Sequence, residues 1–235
     1  SYIARRKTTL TNPKSKRLGN AMIKRGYANT PEGQIHYVEQ GSGENLILLH
    51  ATPQSSRAYW KLAPLLAKEF HVWTPDTLGF GNSDPIPTNI TIEYFAQSFI
   101  NFMDVLRIEK AHIFGLHTGN KIAVSLAAGW PERIETIMLC GSPHSIIPDK
   151  EKRDAAIFNL VDVIERRFES EDGGADLLRA WALSYSRITS TWWDTGTTNP
   201  TDSDINALAG RVLDLIQARY SDREAHEAIF AYNWG

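Results

Sequence analysis

Residues 113–123 read IFGLHTGNKIA, an apolar run followed by a turn with a glycine on each side of its centre. Apolar residues then recur at helical spacing as far as Trp130. Glycines that flank a turn permit a strained backbone and close packing of strand against helix, so that the central side chain projects above the sheet. The pattern predicts a sharp strand–turn–helix unit with His117 at its apex.

Apolar runs rich in strand-forming residues recur along the first part of the chain, and amphipathic segments separate them. Including the strand of the turn, the runs cover residues 46–49, 71–74, 112–116 and 136–140. Before the third run, Phe95, Phe99, Phe102, Met103 and Leu106 fall on one face of a helix. Hydrophobic strands that alternate with such helices indicate a mostly parallel sheet with helices on both faces, which is the α/β class.

The two ends of this core have different patterns. Residues 25–30 and 34–39 flank a Pro-Glu-Gly turn, which predicts a hairpin and an antiparallel edge of the sheet. After Pro148 the strand signals stop, and helical segments follow, one with an apolar stripe between residues 205 and 216. We therefore expect a basic N-terminal arm over residues 1–24, a six-stranded core over 25–147 and a helical cap or lid over 148–235.

Composition limits the classes of function. Of the 235 residues, 42% are hydrophobic and 22% are charged, which is typical of a globular domain with its own core. No run reaches the roughly 18–20 apolar residues that a membrane span needs, and no signal peptide is recognisable, so a cytoplasmic protein that does not enter a membrane is expected. The single cysteine, Cys140, lies in an apolar run and is expected to be buried and unreactive.

The net charge of -2 conceals an asymmetry along the chain. Eight basic residues precede the first acid, Glu32. No aromatic or glycine-rich pattern accompanies them, so we expect a solvated arm and no nucleic-acid partner.

Four motifs resemble those of the α/β-hydrolase superfamily, and the resemblance covers residues 25–235. Residues 50–56, HATPQSS, resemble the His-Gly-x-Pro loop after the third strand. Residues 76–84, DTLGFGNSD, are similar to the family's Asp-x-x-Gly-x-Gly-x-Ser turn after the next strand. The turn around His117 resembles the nucleophile elbow, and residues 130–134, WPERI, resemble the segment before the following strand. The first two motifs are nearest to the haloalkane dehalogenase, epoxide hydrolase and esterase branch.

This resemblance implies roles for particular residues. The backbone N–H groups of Thr52 and Thr118 would form an oxyanion hole, which stabilises a developing negative charge. His50 and Asp76 would support the loops around it, since polar residues of such turns mainly accept or donate local hydrogen bonds.

The cap and the rest of the sequence supply further expectations. In the cap, the adjacent Trp192 and Trp193 are expected to line an apolar pocket for a small apolar substrate or ligand. The sequence has no metal-ligand spacing, phosphate loop or dinucleotide motif, so no metal and no cofactor are expected.

The central residue of the turn departs from the family, which places Ser, Cys or Asp where this chain has His117. A neutral imidazole can act as nucleophile or general base, but its adducts are labile. Three interpretations are open: an introduced substitution that inactivates an enzyme, a natural replacement in a protein that does not hydrolyse, or a working nucleophile or base.

The last part of the family's machinery has no counterpart in the sequence. In the family, the acid and the base of the catalytic triad follow the cap, and no such motif follows it here; His144 is expected to be structural. The strand at 136–140 would be an uncovered parallel edge. We therefore expect a C-terminal segment beyond Gly235 or a second chain to complete the sheet.

The functional expectation is a hydrolase of the α/β-hydrolase superfamily that acts on an ester, carbon–halogen, epoxide or related bond in a small apolar molecule, with His117 at the nucleophile position. The alternative is a catalytically inactive ligand-binding protein of the same fold.

Overall fold

The computed structural model describes residues 22–141, 202–218 and 220–232. Six strands form one sheet in the order β1-β2-β4-β3-β5-β6. Their bounds are β1 Lys24–Thr30, β2 Gly33–Gly41, β3 Glu44–Leu49, β4 Phe70–Pro75, β5 Ala111–Leu116 and β6 Ile134–Cys140. The helices are α1 Ala63–Leu66, α2 Ile92–Val105, α3 Thr118–Gly129, α4 Asp202–Ala218 and α5 Asp222–Ala231, with 3-10 turns at Ser56–Tyr59 and Pro131–Arg133.

The strand pairing confirms the mostly parallel sheet and its antiparallel edge. Strands β1 and β2 pair antiparallel around the predicted turn, and β2 also pairs antiparallel with β4. The pairs β3–β4, β3–β5 and β5–β6 are parallel. Parallel neighbours need a crossover segment, which is why α2 precedes β5 and α3 precedes β6.

Both faces of the central strand β3 are buried. Ile47 and Leu49 face a large apolar cluster that includes the predicted helix face of α2, part of α3 and residues of α5. Leu46 and Leu48 face a smaller cluster with Tyr59 and residues of α1. A strand buried on both faces has no polar alternation, and this explains the continuous hydrophobic run that sequence analysis detected.

Helix α4 contains the predicted apolar stripe. Val212 is buried, whereas Leu215 and Ile216 are half-buried. Helix α5 brings Ala225, Ala228 and Ile229 into the large core cluster. Among the described residues, none of the helices is both long and apolar enough to cross a bilayer. Residues 1–21 of the predicted arm, residues 142–147 of the predicted core with His144, and residues 148–201 of the predicted cap lie outside the described residues.

The prediction that Cys140 is buried was wrong. Its thiol is exposed, and the side chains of Ile137, Met138 and Leu139 are exposed by 37%, 44% and 44%. In the described part of the chain, β6 is the outermost strand and pairs only with β5. An apolar run therefore does not imply burial at the margin of a sheet, because neighbours cover such a strand incompletely.

Candidate active site

His117 lies at the apex of the turn that joins β5 to α3. Its backbone has φ 50° and ψ -102°, and its N–H donates a hydrogen bond to the Cys140 carbonyl oxygen at 3.0 Å. A positive φ in a residue with a side chain costs on the order of 1–3 kcal/mol and persists only where the surroundings enforce it. The turn therefore has the strained backbone that sequence analysis predicted.

The two glycines of the turn are required by close packing. A methyl group on Gly115 would overlap the backbone of Gly119, and one on Gly119 would overlap the carbonyl group of Leu49 in β3. Strand β5, helix α3 and strand β3 thus approach one another so closely that a residue larger than glycine does not fit at positions 115 and 119. The close approach places the first turn of α3 directly beside the loop that follows β3.

The imidazole of His117 is exposed and lies beside the backbone of Gly141. A methyl group added to Gly141 would lie 2.9 Å from His117 Nε2. Partial burial lowers the pKa of the His117 imidazole below its ordinary value of 6.5. The ring is therefore mainly neutral at pH 7 and offers a lone pair, which is the form that acts as a nucleophile or base.

The structure brings Thr52 and Thr118 together next to His117. Thr118 is the first residue of α3, so its N–H belongs to the group of amides that have no acceptor within the helix. The N–H of Thr52 donates to the Thr118 hydroxyl, Oγ1, at 3.1 Å. The role of the two amides as an oxyanion hole stays a prediction, and it requires the Thr118 hydroxyl to turn away from Thr52.

His50 connects the loop after β3 to the loop after β4. Its side chain is buried, with Nδ1 3.0 Å from the Ala51 carbonyl oxygen and Nε2 2.9 Å from the N–H of Thr77. This network assigns the proton to Nδ1, because Nε2 faces a donor. Burial lowers the pKa of His50, in agreement with a neutral ring that links the two loops.

Asp76 is the buried centre of a second set of contacts. Its carboxylate accepts hydrogen bonds from the N–H of Ser56 at 2.6 Å and of Asn82 at 3.0 Å. His36 of β2 lies 2.8 Å away through Nδ1. Burial alone would raise the pKa of Asp76, but the His36 contact and the amide donors lower it to about 2. Asp76 therefore holds three segments together as an anion.

His36 and Asp214 contact the loops around the site, and neither was predicted from the sequence. Asp214 of α4 is buried and accepts hydrogen bonds from Ser55 Oγ and Arg57 Nη1, both at 2.6 Å. Arg57 also donates to Gln217 at 2.9 Å. The positions of Ser55 and Asp214 are 159 residues apart, so no local pattern could have joined them.

A cavity of about 900 Å³ opens between α4, the loop after β3 and the end of β5. Its wall includes Leu116, the residue before His117, and Gln54, two residues after Thr52. The predicted pocket residues Trp192 and Trp193 lie outside the described residues. Across the residues that the structure does describe, no group of three or more His, Cys, Asp or Glu side chains could hold a metal ion.

Comparisons with known proteins agree with this architecture. The family model for the alpha/beta hydrolase fold matches residues 44–200. The chain is 34% identical to 2-hydroxymuconate semialdehyde hydrolase of Pseudomonas sp. strain CF600 over 121 residues, which are 50% of this chain and 43% of that protein. It is 30% identical to haloalkane dehalogenase 2 of Mycobacterium tuberculosis strain H37Rv over 112 residues, which are 47% of this chain and 39% of that protein.

A solved structure gives the same fold. Epoxide hydrolase CorEH without ligand superposes with a TM-score of 0.64 at 21% identity, covering 89% of this chain and 73% of that one. The chain spans less than half the length of the two curated relatives named above.

Proposed function

The chain belongs to the alpha/beta hydrolase fold family, and from this premise we propose that it cleaves an ester, carbon–halogen, epoxide or related bond in a small apolar molecule. One observation carries the proposal. The side chain at the apex of the β5–α3 turn is exposed, lies beside the N-terminus of α3, and is an imidazole with a lowered pKa. A neutral ring in that position is a candidate nucleophile at neutral pH.

For an ester, the chemistry would have two stages. The imidazole of His117 attacks the carbonyl carbon, and the carbonyl electron pair moves to the oxygen, which the N–H groups of Thr52 and Thr118 stabilise. Collapse of this oxyanion breaks the bond to the alkoxide, which takes up the proton released by the imidazole. Water then hydrolyses the acylimidazole and restores His117, a step favoured by the lability of such adducts.

A specific observation favours the second candidate, a ligand-binding protein without activity. Over the described residues 22–141, 202–218 and 220–232, the His117 imidazole has no carboxylate in contact with it. In a triad, a carboxylate orients the imidazole and stabilises its cation. An unsupported ring could occupy the apex of the turn in a protein that retains a pocket and has lost turnover.

Hydrolysis of 4-nitrophenyl acetate separates the two candidates. We expect His117→Ala to lower kcat/KM at least tenfold, because the variant keeps the fold and loses the nucleophile. The matched control is His112→Ala, which removes a histidine at the other end of β5, roughly 16 Å along the strand, and reports ordinary imidazole catalysis.

Two outcomes decide against hydrolysis by His117. If the His117→Ala and His112→Ala variants both keep the rate of the starting protein, His117 has no catalytic role. If activity appears only in a His117→Ser variant, the chain with His117 is inactive, either as a binding protein or as an enzyme inactivated by an introduced substitution.

A further inference from the structure

The cavity beside the apex of the turn has an uneven distribution of charge. Four charged residues line it, namely Arg57, Lys61, Arg211 and Asp214. Arg57 and Asp214 form an ion pair of 2.6 Å and neutralise each other. Neither Lys61 nor Arg211 has an ion-pair or hydrogen-bond partner within the part of the chain that the structure describes. Counting only the described residues, the lining therefore carries two positive charges without a compensating acid.

These two cations come from different sides of the cavity. Lys61 follows the 3-10 turn Ser56–Tyr59, next to the loop that contains Thr52, whereas Arg211 belongs to helix α4. The ion pair of Asp214 with Arg57 and the hydrogen bond from Ser55 fix α4 against that loop. The two charges thus belong to two elements that are held together by a buried contact.

The remaining wall is largely apolar. Trp60 is 63% exposed and Leu213 is 49% exposed, although both are large hydrophobic residues that water solvates poorly. Leu116 continues this surface to His117. Gln54 adds one polar feature, since its side-chain oxygen Oε1 is buried and has no donor among the described residues. A ligand with an apolar body would cover Trp60 and Leu213. A hydroxyl or amide group of the ligand, or a bound water, would donate a hydrogen bond to Gln54 Oε1.

We propose that this cavity selects a molecule with a short apolar body and one carboxylate. The substrate would then carry a single negative charge. The inference rests on the proposed function, because the apolar body would reach Leu116 and bring the scissile bond to His117. The carboxylate binds in the field of Lys61 and Arg211, where charge-assisted hydrogen bonds are stronger than neutral ones. A volume of about 900 Å³ is within the usual range for small-molecule sites.

Binding is tested without turnover by titrating 4-phenylbutyrate and its neutral counterpart 4-phenylbutanamide into the protein in a calorimeter. We expect the carboxylate to bind at least tenfold more tightly than the amide, and we expect added NaCl to reduce this difference. We expect Lys61→Gln and Arg211→Gln each to weaken binding of the carboxylate several-fold. The affinity for the amide should stay unchanged. Both residues are exposed, so neither substitution affects the core.

Lys68→Gln is the matched control, because Lys68 is an exposed lysine that does not line the cavity. Equal affinity for carboxylate and amide overturns the proposal. A loss of carboxylate binding in Lys68→Gln equal to that in Lys61→Gln also overturns it, since general surface charge would then explain the effect.

The failure of this inference and that of the proposed function are distinguishable. The titration is repeated with His117→Ala, which removes the candidate nucleophile and leaves Lys61 and Arg211 in place. Preference for the carboxylate without hydrolysis of any 4-nitrophenyl ester contradicts ester hydrolysis and leaves the proposed substrate class in place. Hydrolysis of 4-nitrophenyl acetate without preference for the carboxylate sinks the substrate class alone.

Discussion

At the scale of single residues, the backbone conformation of His117 depends on contacts with its neighbours. A histidine with φ 50° is unfavourable unless neighbouring contacts hold it. Here its N–H is bound by the carbonyl of Cys140, and Gly115 and Gly119 admit the close approach of the flanking elements. These contacts hold the unfavourable backbone conformation of His117. As a result, the imidazole is kept in an exposed position.

The lowered pKa of His117 predicts the pH dependence of hydrolysis. Catalysis by a neutral imidazole is lost when the ring is protonated, so activity falls as pH decreases through the pKa of His117. Because burial places that pKa below 6.5, the acidic limb of kcat/KM should be half-complete below pH 6.5, with a plateau between pH 7 and 8. A pH profile with 4-nitrophenyl acetate measures the limb.

The same pKa can be read without turnover by titrating the ring protons of His117 in NMR spectra. His117→Ala identifies the signal by its disappearance. A kinetic limb centred above pH 6.5, or one that differs from the NMR titration, would contradict the assignment to His117.

Residue types in short motifs predicted part of the site, and the rest depends on distant contacts. Asp76 was expected to accept local backbone hydrogen bonds, and the N–H of Asn82 is such a donor, whereas that of Ser56 comes from 20 positions earlier. His36 was not expected, because it reaches Asp76 from a strand 40 positions earlier. Its only local signal was a position on a predicted strand, which is equally compatible with a surface histidine.

At the scale of elements, Asn120 joins helix α3 to strand β6. Its buried side chain donates from Nδ2 to the Cys140 carbonyl oxygen at 2.8 Å and accepts from the Cys140 N–H at Oδ1 at 3.0 Å. The same carbonyl oxygen receives the N–H of His117. Asn120 therefore fixes the backbone group that holds the apex of the turn, and we regard it as a positioning residue.

Asn120→Ala should destabilise the protein by about 1–3 kcal/mol, since it removes the side-chain acceptor of the Cys140 N–H and one of the two donors to the Cys140 carbonyl oxygen. Chemical denaturation measures this change. Asn101→Ala is the matched control, because Asn101 of α2 is half-buried and donates a hydrogen bond to the side chain of Glu32. The control should cost less than Asn120→Ala.

A positioning role for Asn120 also predicts a kinetic effect. We expect Asn120→Ala to reduce kcat more than it changes KM, because His117 loses its orientation while the cavity stays intact. Unchanged kcat in a folded Asn120→Ala protein would limit Asn120 to a structural role.

Secondary structure was predictable where a local period repeats. The helix face from Phe95 to Leu106 lies almost entirely within α2, and the hairpin has the expected turn. The contact of α4 with Ser55 and Arg57 was not predictable, because Asp214 lies among apolar helix residues and its partners are distant in sequence. Periodicity predicts which elements form, but not which polar pairs connect them.

At the scale of the whole molecule, the described sheet has two different edges. Strand β1 is an antiparallel edge of a hairpin, whereas β6 ends the described sheet with a parallel edge and exposed apolar side chains. A parallel strand with a free edge presents unpaired backbone groups to any other strand. The run at 136–140 predicted a parallel edge strand, whereas the expectation that Cys140 is buried in this run was wrong.

The open edge predicts self-association of the 235-residue chain. We expect its mean mass in light scattering to rise with concentration over the micromolar range, and we expect Met138→Lys to reduce that rise. Val105→Lys is the matched control, because Val105 is 45% exposed and Met138 is 44% exposed, but Val105 lies on α2 away from β6. A monodisperse monomer at all concentrations would refute the prediction.

The exposed thiol at the end of β6 has a practical consequence. The chain has one cysteine, so a maleimide dye would attach to Cys140 at a single defined position without any prior mutagenesis. The carbonyl oxygen of the labelled residue accepts a hydrogen bond from the N–H of His117. Fluorescence from such a dye would therefore report, in real time and on individual molecules, when a substrate or ligand binds next to the imidazole.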